Sequence, residues 1–425
     1  MNKILMNKIE TNKQLLIKVI SHKATHNFII VGLIAIFQVI NNIILGRSLE
    51  KDEFGIYSFI FNSIVGVFSI VLLFGHNSSI LRYFSSKNFL EYRWKQYLLR
   101  NFVLILLPLT VAMSAIKIIY DLNWFWFWMG FLSTYLMCTT NLVSSLLRSK
   151  ELFITTILLE RAHPIILTGL LLSIGFFFVP LNLWNSSYAK LISYSIQVPI
   201  VLFILLKWQE GEKTINKNVF KDNLAFWELN ISVVVLTSID AFFIVKILSF
   251  EELALFSIII SLMQIYEFTS LSIFHVYSQK FSKENNINIE SFNRILLILI
   301  FLITTFYLLS TDFLLEILFK GKYEISLTLL ILFCANSSIA LLYTLPSCYI
   351  IGQSTTKELK AMFKVNLINT VIKIGLIFLL SGFGLSGFLI ARLISQLIRT
   401  GYAYYMVVKN KQLKWSSLFS IIKNG

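Results

Sequence analysis

The chain has 425 residues, of which 56% are hydrophobic and 14% charged, and it carries a formal net charge of +15. A soluble fold of this length could not cover so much apolar surface, so the composition excludes a water-soluble protein. The basic residues cluster in short loops between apolar stretches, a pattern typical of membrane proteins that argues against a nucleic-acid partner.

The N-terminal segment 1–27 contains five lysines, and no small-residue cleavage site follows the first apolar run. The sequence therefore predicts no cleavable signal peptide, and the first apolar run is expected to stay as a membrane anchor. Two interpretations of the segment stay open: a basic amphipathic helix on the inner membrane surface, or a disordered basic tail. The apolar positions that favour the helix are Leu5, Ile9, Leu15, Leu16, Val19 and Ile20.

Twelve apolar stretches follow, each close to the length that a helix needs to cross about 30 Å of hydrocarbon. The fifth is the least regular, because Glu160, Arg161 and His163 interrupt it just before Pro164. The predicted spans are 28–45, 55–75, 101–120, 124–146, 155–179, 188–206, 225–246, 254–275, 293–311, 325–350, 362–381 and 385–408.

The loops alternate in charge, with 26 lysines and arginines on one side and 6 on the other. By the positive-inside rule, this split predicts that both termini lie in the cytoplasm, and it supports an even number of spans. The expected location is the plasma membrane of a bacterium or archaeon.

The polar, lysine-rich segment 207–224 divides the spans into two groups of six, and an internal repeat flanks it. GRSLEKDEFGIYSFI, starting at Gly46, aligns with VKILSFEELALFSII, starting at Val245, at a constant offset of 199. Each copy follows the first span of its half. An even number of spans per half predicts an all-α membrane protein with two parallel six-helix lobes, related by a pseudo-twofold axis along the membrane normal. The predicted parts are an N-terminal lobe (1–206), a cytoplasmic linker (207–224) and a C-terminal lobe (225–425).

The repeated loop GRSLEKDEFGIYSFI resembles the stretch after the first helix of the Wzx-type polysaccharide flippases, members of the multidrug/oligosaccharidyl-lipid/polysaccharide exporter superfamily. Three further stretches agree in the same order: LRYFSSK (81–87), LEILFKGKYEISLTLLIL (315–332) and FGLSGFLIARLIS (383–395). One departure is the pair Phe388 and Leu389, where the family usually has small residues. The resemblance extends over nearly the whole chain.

This resemblance implies a flippase that moves an undecaprenyl-pyrophosphate-linked oligosaccharide across the membrane for surface polysaccharide synthesis. Membrane lipids and other polysaccharide-assembly membrane proteins would be its partners. One alternative is a cation-coupled multidrug or small-molecule exporter of the same fold. Another is a membrane enzyme of polysaccharide assembly, such as a polymerase or acyltransferase. The short predicted outer loops carry no catalytic constellation, so we expect a protein that is not an enzyme.

Polar residues within the spans are the candidate functional groups, because a charge at the membrane centre usually faces a cavity or a partner. Binding an anionic pyrophosphate requires lysine or arginine. The candidate substrate-binding cations are Arg47, Arg161, Lys246, Lys373, Arg392 and Arg399. The candidate polar cavity residues are Gln38, Asn41, Asn366, Asn369 and Gln396. The acids Glu160, Asp240 and Glu267 are candidates for coupling to a proton or sodium gradient, and no other cofactor is expected.

Each of these assignments has a structural alternative. Polar side chains in membranes commonly hydrogen-bond neighbouring helices. Arg47 would then only anchor an outer loop, Arg399 would extend its charged end towards the cytoplasmic surface, and Glu160 would pair with His163. For Lys373 and Arg392, the alternative is an ion pair with an acid such as Asp240.

Overall fold

The computed structural model describes residues 23–84, 89–150, 152–177, 180–215, 218–283 and 289–411. These residues fold almost entirely into helices, and each predicted span corresponds to one helix or to a broken helix. The predicted surface helix within residues 1–22 lies outside the described residues. By length and composition, seven helical stretches could cross a membrane, or nine if two bent pairs are each one span.

The first half contains spans 1 to 6. Span 1 is Lys23–Ser48, span 3 is Trp94–Ile119, and span 4 is Trp124–Ser149. The other three spans are broken. Span 2 comprises Lys51–Ser58, a π-helix at Phe59–Ile64, Val65–Val71 and His76–Phe84. Span 5 comprises Phe153–Arg161 and His163–Phe177. Span 6 comprises Leu183–Ser195 and Gln197–Lys207.

The second half contains spans 7 to 12. Span 7 is Asn218–Ile247, so its helix begins before the predicted boundary at 225. The remaining spans are Phe250–Leu262 with Gln264–Lys283 (span 8), Ile289–Phe319 (span 9), Leu327–Leu342 with Thr344–Gln353 (span 10), Thr356–Leu380 (span 11) and Gly384–Lys411 (span 12).

Local sequence explains where several of these helices begin and bend. Asn123 and Ser326 cap spans 4 and 10 by accepting a backbone N–H with their side chains. Thr355 and Glu358 form a reciprocal capping box at the start of span 11. In span 5 the two helices meet at 47° just before Pro164, whose ring and missing N–H prevent a continuous helix.

Equivalent spans pack in the same way in the two halves. Span 4 contacts spans 2, 3 and 6 in the first half, and span 5 contacts spans 1 and 6. In the second half, span 10 contacts spans 8, 9 and 12, and span 11 contacts spans 7 and 12. Each half is therefore a six-helix lobe of similar internal arrangement, although span 4 of the first half also packs on span 5.

The lobes meet along a seam formed by spans 1, 2, 7 and 8, which also follows a twofold pattern. Span 1 packs on span 8 as span 7 packs on span 2, and spans 2 and 8 pack on each other. That last contact joins Lys51–Ser58 to Phe250–Leu262, at the predicted outer ends of both spans. Beyond it, the second half of span 2 packs on spans 4 and 7, and that of span 8 on spans 1 and 10. The lobes are thus held together by spans 2 and 8 at the predicted outer side, and further along by span 7 on span 2 and span 1 on span 8.

The constant offset of 199 holds in three dimensions. Arg47, which follows span 1, donates to the carbonyls of Ile317 and Leu318 at the end of span 9. Its counterpart Lys246, which follows span 7, donates to the Ile119 carbonyl at the end of span 3, at 2.9 Å. Cations near a helix C-terminus stabilise its unpaired carbonyls. Because both contacts cross the seam on the same side, the lobes are parallel rather than inverted.

Two further pairs of positions follow the same offset. Glu50 and Ser249 are the N-cap residues of spans 2 and 8. Asp121 and Lys320 each adopt a positive φ, 50° and 53°, where spans 3 and 9 end. A left-handed residue at this position terminates a helix. The turns after spans 3 and 9 therefore have the same left-handed conformation at equivalent positions, although their side chains differ.

The described part of the linker between the lobes is attached to the first lobe. The Lys213 carbonyl accepts from the Arg93 N–H at 2.9 Å, and the Lys213 ammonium lies 2.5 Å from the Glu91 carboxylate. The Glu91 hydrogen bond and charge raise the pKa of Lys213, while those of Lys213 lower the pKa of Glu91. Both side chains are exposed, so this ion pair adds little to stability.

Candidate functional site

Spans 7, 11 and 12 bring three charged side chains together inside the second lobe. The Lys373 ammonium lies 2.8 Å from each carboxylate oxygen of Asp240, and it also donates to the Leu236 carbonyl at 2.7 Å. The Lys373 and Asp240 side chains are only 1% and 2% exposed. A buried pair of this kind is neutral overall, and each charge depends on the other to remain in the interior.

Arg392 is the third member of this group and differs from Lys373 in its surroundings. Its guanidinium nitrogen lies 3.6 Å from Asp240 Oδ2, too far for a hydrogen bond, and its side chain is 21% exposed. The guanidinium also lies over the Phe256 ring of span 8, 5.6 Å from the ring centroid. The single negative charge of Asp240 therefore faces two positive charges, which leaves a net positive charge where span 12 faces span 8.

The polar faces predicted on spans 11 and 12 are buried between helices. The Asn366 amide donates to Ser232 of span 7 at 3.2 Å, and the Asn369 amide donates to the Ser395 carbonyl of span 12 at 2.7 Å. These contacts support the helix-bonding alternative for the amide nitrogens. The side-chain oxygens of Asn366, Asn369 and Gln396 have no hydrogen-bond partner within the described structure. They remain free to accept from a ligand or water.

Arg399 lies further along span 12 and is held by an aromatic ring. Its guanidinium carbon is 3.8 Å from the Tyr343 ring centroid, and 9% of the residue is exposed. A cation stacked this closely on an aromatic face is stabilised without an acid. This packing joins span 12 to the break in span 10.

In the first lobe, Asn41 occupies the position equivalent to Asp240 and makes neutral contacts instead. Its amide donates to the Pro164 carbonyl at 2.8 Å, and the Thr168 hydroxyl donates to its side-chain oxygen at 2.8 Å. Asn41 thereby bonds span 1 to the bend of span 5. The two lobes are alike in backbone but differ in charge at this position.

Glu160 forms an ion pair within the first lobe. Both of its carboxylate oxygens accept from Arg148 of span 4, at 2.8 and 2.7 Å. The alternative pairing of Glu160 with His163 is therefore wrong, because the His163 ring packs on Tyr194 instead, with centroids 4.7 Å apart. The predicted role of Glu160 in ion coupling stays a prediction.

The remaining predicted residues lie apart from these groups. Arg47 and Lys246 lie at the seam, where their contacts with helix ends favour the anchoring alternative. Gln38 and Glu267 are exposed on spans 1 and 8. Arg161 is half-buried at the bend of span 5. The structure thus brings together only some of the candidate residues.

Lys190 of span 6 was missed by the sequence analysis. It is 7% exposed, and its ammonium lies 5.0 Å from the centroid of the Tyr194 ring. A signal was available, since Lys190 is the only charge in the apolar stretch 183–206. The predicted span began at 188, which put Lys190 at its edge and so hid its burial.

A cavity of about 380 Å³ lies near the seam at the predicted cytoplasmic end of spans 2 and 3. Residues from both halves of the chain line it, including Arg100 and Trp227. The Trp227 indole donates to the Val71 carbonyl at 2.9 Å, which ties span 7 to span 2 beside this cavity.

Comparison with known proteins identifies the fold. No protein-family model and no curated protein sequence matches the chain. Among solved structures, it is similar to an inward-facing multidrug resistance MATE family transporter of the MOP superfamily, with a TM-score of 0.63 and 12% identity over 92% of this chain and 99% of that one. An outward-facing MATE transporter gives 0.61 and 11%, over 93% and 97%.

A third similar structure is that of the MATE multidrug transporter DinF-BH, with a TM-score of 0.64 and 14% identity. The match covers 95% of this chain and 97% of that chain. The chain therefore has the MATE fold over 92–95% of its length. At these identities the likeness defines the fold, while the chemistry of the site has to be argued from the residues of this chain.

Proposed function

We propose that this protein is a membrane transporter that works by alternating access of its two lobes. The support is the MATE fold over 92–95% of the chain and the twofold seam between the lobes. Symmetric lobes that meet along such a seam can rock about a central site. In this conformation the cations Arg47 and Lys246 join the lobes at the predicted outer side, so opening to that side would break both contacts.

The proposed cargo is an anionic amphiphile, a pyrophosphate-linked oligosaccharide on an isoprenoid lipid. The observation that carries this proposal is the surplus positive charge of the Asp240, Lys373 and Arg392 group. Arg392 is partly exposed, and its ion pair with Asp240 at 3.6 Å is too long for a hydrogen bond, so its N–H groups can donate to a phosphate. The lipid tail would stay in the bilayer while the charged head group passes between the lobes.

The second candidate function is export of drugs or other small molecules. Its support is that the similar solved structures are multidrug transporters covered almost completely by this chain. Asp240 would be the residue to attract a cationic drug, but Lys373 already neutralises it. We therefore rank this candidate second.

Further parts of the proposal rest on the sequence. The protein would act in the plasma membrane with both termini in the cytoplasm, without enzymatic activity. Proton or sodium coupling through Asp240, Glu160 or Glu267 stays a prediction, as does association with other polysaccharide-assembly proteins.

Arg392→Gln is expected to reduce transport without unfolding the protein. Loss of one charge-assisted hydrogen bond to a phosphate costs about 1.5–3 kcal/mol of binding free energy, which lowers the affinity about tenfold or more. Asp240 keeps Lys373 as its partner in this variant, so the melting temperature should stay near that of the wild type. The measurement is flipping of a fluorescent isoprenyl-pyrophosphate-linked oligosaccharide in proteoliposomes, alongside membrane abundance and thermal unfolding.

The matched control is Lys364→Gln, which removes an exposed lysine from span 11. It should transport like the wild type. If the wild-type protein moved a cationic dye down or against a gradient but left the lipid-linked oligosaccharide in place, the second candidate would replace the first. Normal flipping by Arg392→Gln would remove Arg392 from the binding site.

Cysteine labelling in intact cells should report the orientation. Cys138, Cys334 and Cys348 are buried, and they would be replaced to give a background without reactive thiols. Single cysteines at positions 184 and 321 should then react with a membrane-impermeant reagent, because both loops are predicted to be outside. A cysteine at position 214 should react only after the membrane is permeabilised, and labelling of 214 in intact cells would contradict the proposed topology.

A further inference from the structure

Lys190 lies in the first lobe in a cluster of polar side chains around Tyr194. The Lys190 ammonium lies 5.0 Å from the centroid of the Tyr194 ring. The His163 ring packs on the same ring, with the two centroids 4.7 Å apart. The helix Lys51–Ser58 of span 2, which carries Tyr57, packs on the helix Leu183–Ser195 of span 6, which carries Lys190 and Tyr194. Spans 2, 5 and 6 thus each contribute a polar group to one place.

This cluster contains polar atoms without hydrogen-bond partners. The Tyr57 hydroxyl and His163 Nδ1 are buried and have no partner within the described structure. Among the described residues, Lys190 makes no ion pair with a carboxylate. Buried polar groups without partners are costly, so the Lys190 ammonium and the Tyr57 hydroxyl are suited to donate to an acceptor that is not part of the protein.

The position of the cluster in the fold matches that of Arg392. Lys190 lies on span 6 beside the seam helix span 2, and Arg392 lies on span 12 beside the seam helix span 8. The two cations differ by about one helical turn from strict equivalence under the offset of 199. Each lobe therefore presents one cation beside an aromatic ring and a seam helix, at a similar distance from the start of its sixth span.

We propose that Lys190, with Tyr57 and His163, forms an anion-binding site in the first lobe that takes a phosphate or pyrophosphate group. The proposal rests on the function proposed above and adds that the charged head group of the cargo is held from both lobes. Lys190 and Arg392 would then bind from opposite sides of the seam. Neither cation would strengthen the binding of a neutral drug.

A structural alternative is that the Tyr194 ring alone holds Lys190 in place, as a cation–π contact. The two interpretations differ in what removal of the charge does to the empty protein. An unmatched buried cation destabilises the folded state, so Lys190→Met should melt at the wild-type temperature or above it when no anion is present. If the ring contact is structural, Lys190→Met should melt lower, which would overturn the proposal.

Binding provides the direct test. Purified full-length protein would be titrated with inorganic pyrophosphate and, separately, with farnesyl pyrophosphate, which distinguishes a free anion from an isoprenoid-linked one. We expect Lys190→Gln to weaken binding about tenfold, Lys190→Arg to retain most of it, and Tyr57→Phe to weaken it by a smaller factor. Lys207→Gln, which removes an exposed lysine from the same span, should bind like the wild type.

The binding results distinguish failure of the Lys190 site from failure of the proposed function. If the wild-type protein binds a pyrophosphate and Lys190→Gln binds it equally well, the site in the first lobe is wrong and the cargo class stands. If the wild-type protein binds neither compound, both proposals fail. Loss of binding in Lys190→Gln with an unchanged melting temperature would support the site.

Discussion

Asp240→Asn is expected to lower the stability of the protein more than any other single change to the charged group in the second lobe. The substitution leaves the Lys373 ammonium 1% exposed and without a counter-charge. Removing one partner of a buried ion pair typically costs about 3–5 kcal/mol, because the remaining charge stays in a low-dielectric interior. Membrane abundance and the melting temperature in detergent should both fall.

A second substitution distinguishes an ion pair from a coupling site. Asp240→Asn combined with Lys373→Met removes both charges, so stability should return towards that of the wild type. Asp312→Asn, which neutralises an exposed acid on span 9, is the matched control and should change little. If Asp240→Asn kept normal stability and lost only transport, Asp240 would be acting as a coupling residue and its pairing with Lys373 would be dispensable.

Gly55→Ala is expected to disturb the closest contact between the lobes. A Cβ at position 55 would lie 2.0 Å from the Phe250 carbonyl oxygen, which belongs to the backbone of span 8 and cannot rotate away. Overpacking of this kind usually costs about 1–3 kcal/mol, and here it would push spans 2 and 8 apart at the predicted outer side. The melting temperature should fall, and a thiol reagent should gain access to cysteines placed at the seam.

Gly66→Ala, on the same span, provides the control for this prediction. A Cβ at position 66 meets nothing within 4 Å, and alanine is the better helix former. Gly66→Ala should therefore melt at the wild-type temperature or slightly above it. Equal melting temperatures for the two variants would mean that the lobes are not in contact at Gly55 in the membrane.

The amino-acid sequence determined the architecture, because membrane insertion leaves few alternatives. The length of each apolar stretch predicts a span. Backbone N–H and C=O groups in hydrocarbon must bond each other, so each such stretch forms a helix. The repeat GRSLEKDEFGIYSFI revealed the parallel lobes, and the equivalent seam contacts of Arg47 and Lys246 confirm its offset. Pro164 indicated where span 5 bends. These features are local in sequence, so they could be predicted without coordinates.

The partners of the charged residues were decided only by the tertiary structure. Helical periodicity put Lys373, Arg392 and Asp240 on polar faces, but it does not tell which faces meet. Lys373 became a buried ion pair and Arg392 a partly exposed cation because spans 7, 11 and 12 converge at one carboxylate. The surroundings of Lys190 were decided in the same way, by His163 of span 5 and by the packing of span 2 on span 6. Contacts between helices depend on packing across the whole lobe, and a single sequence records that packing only indirectly.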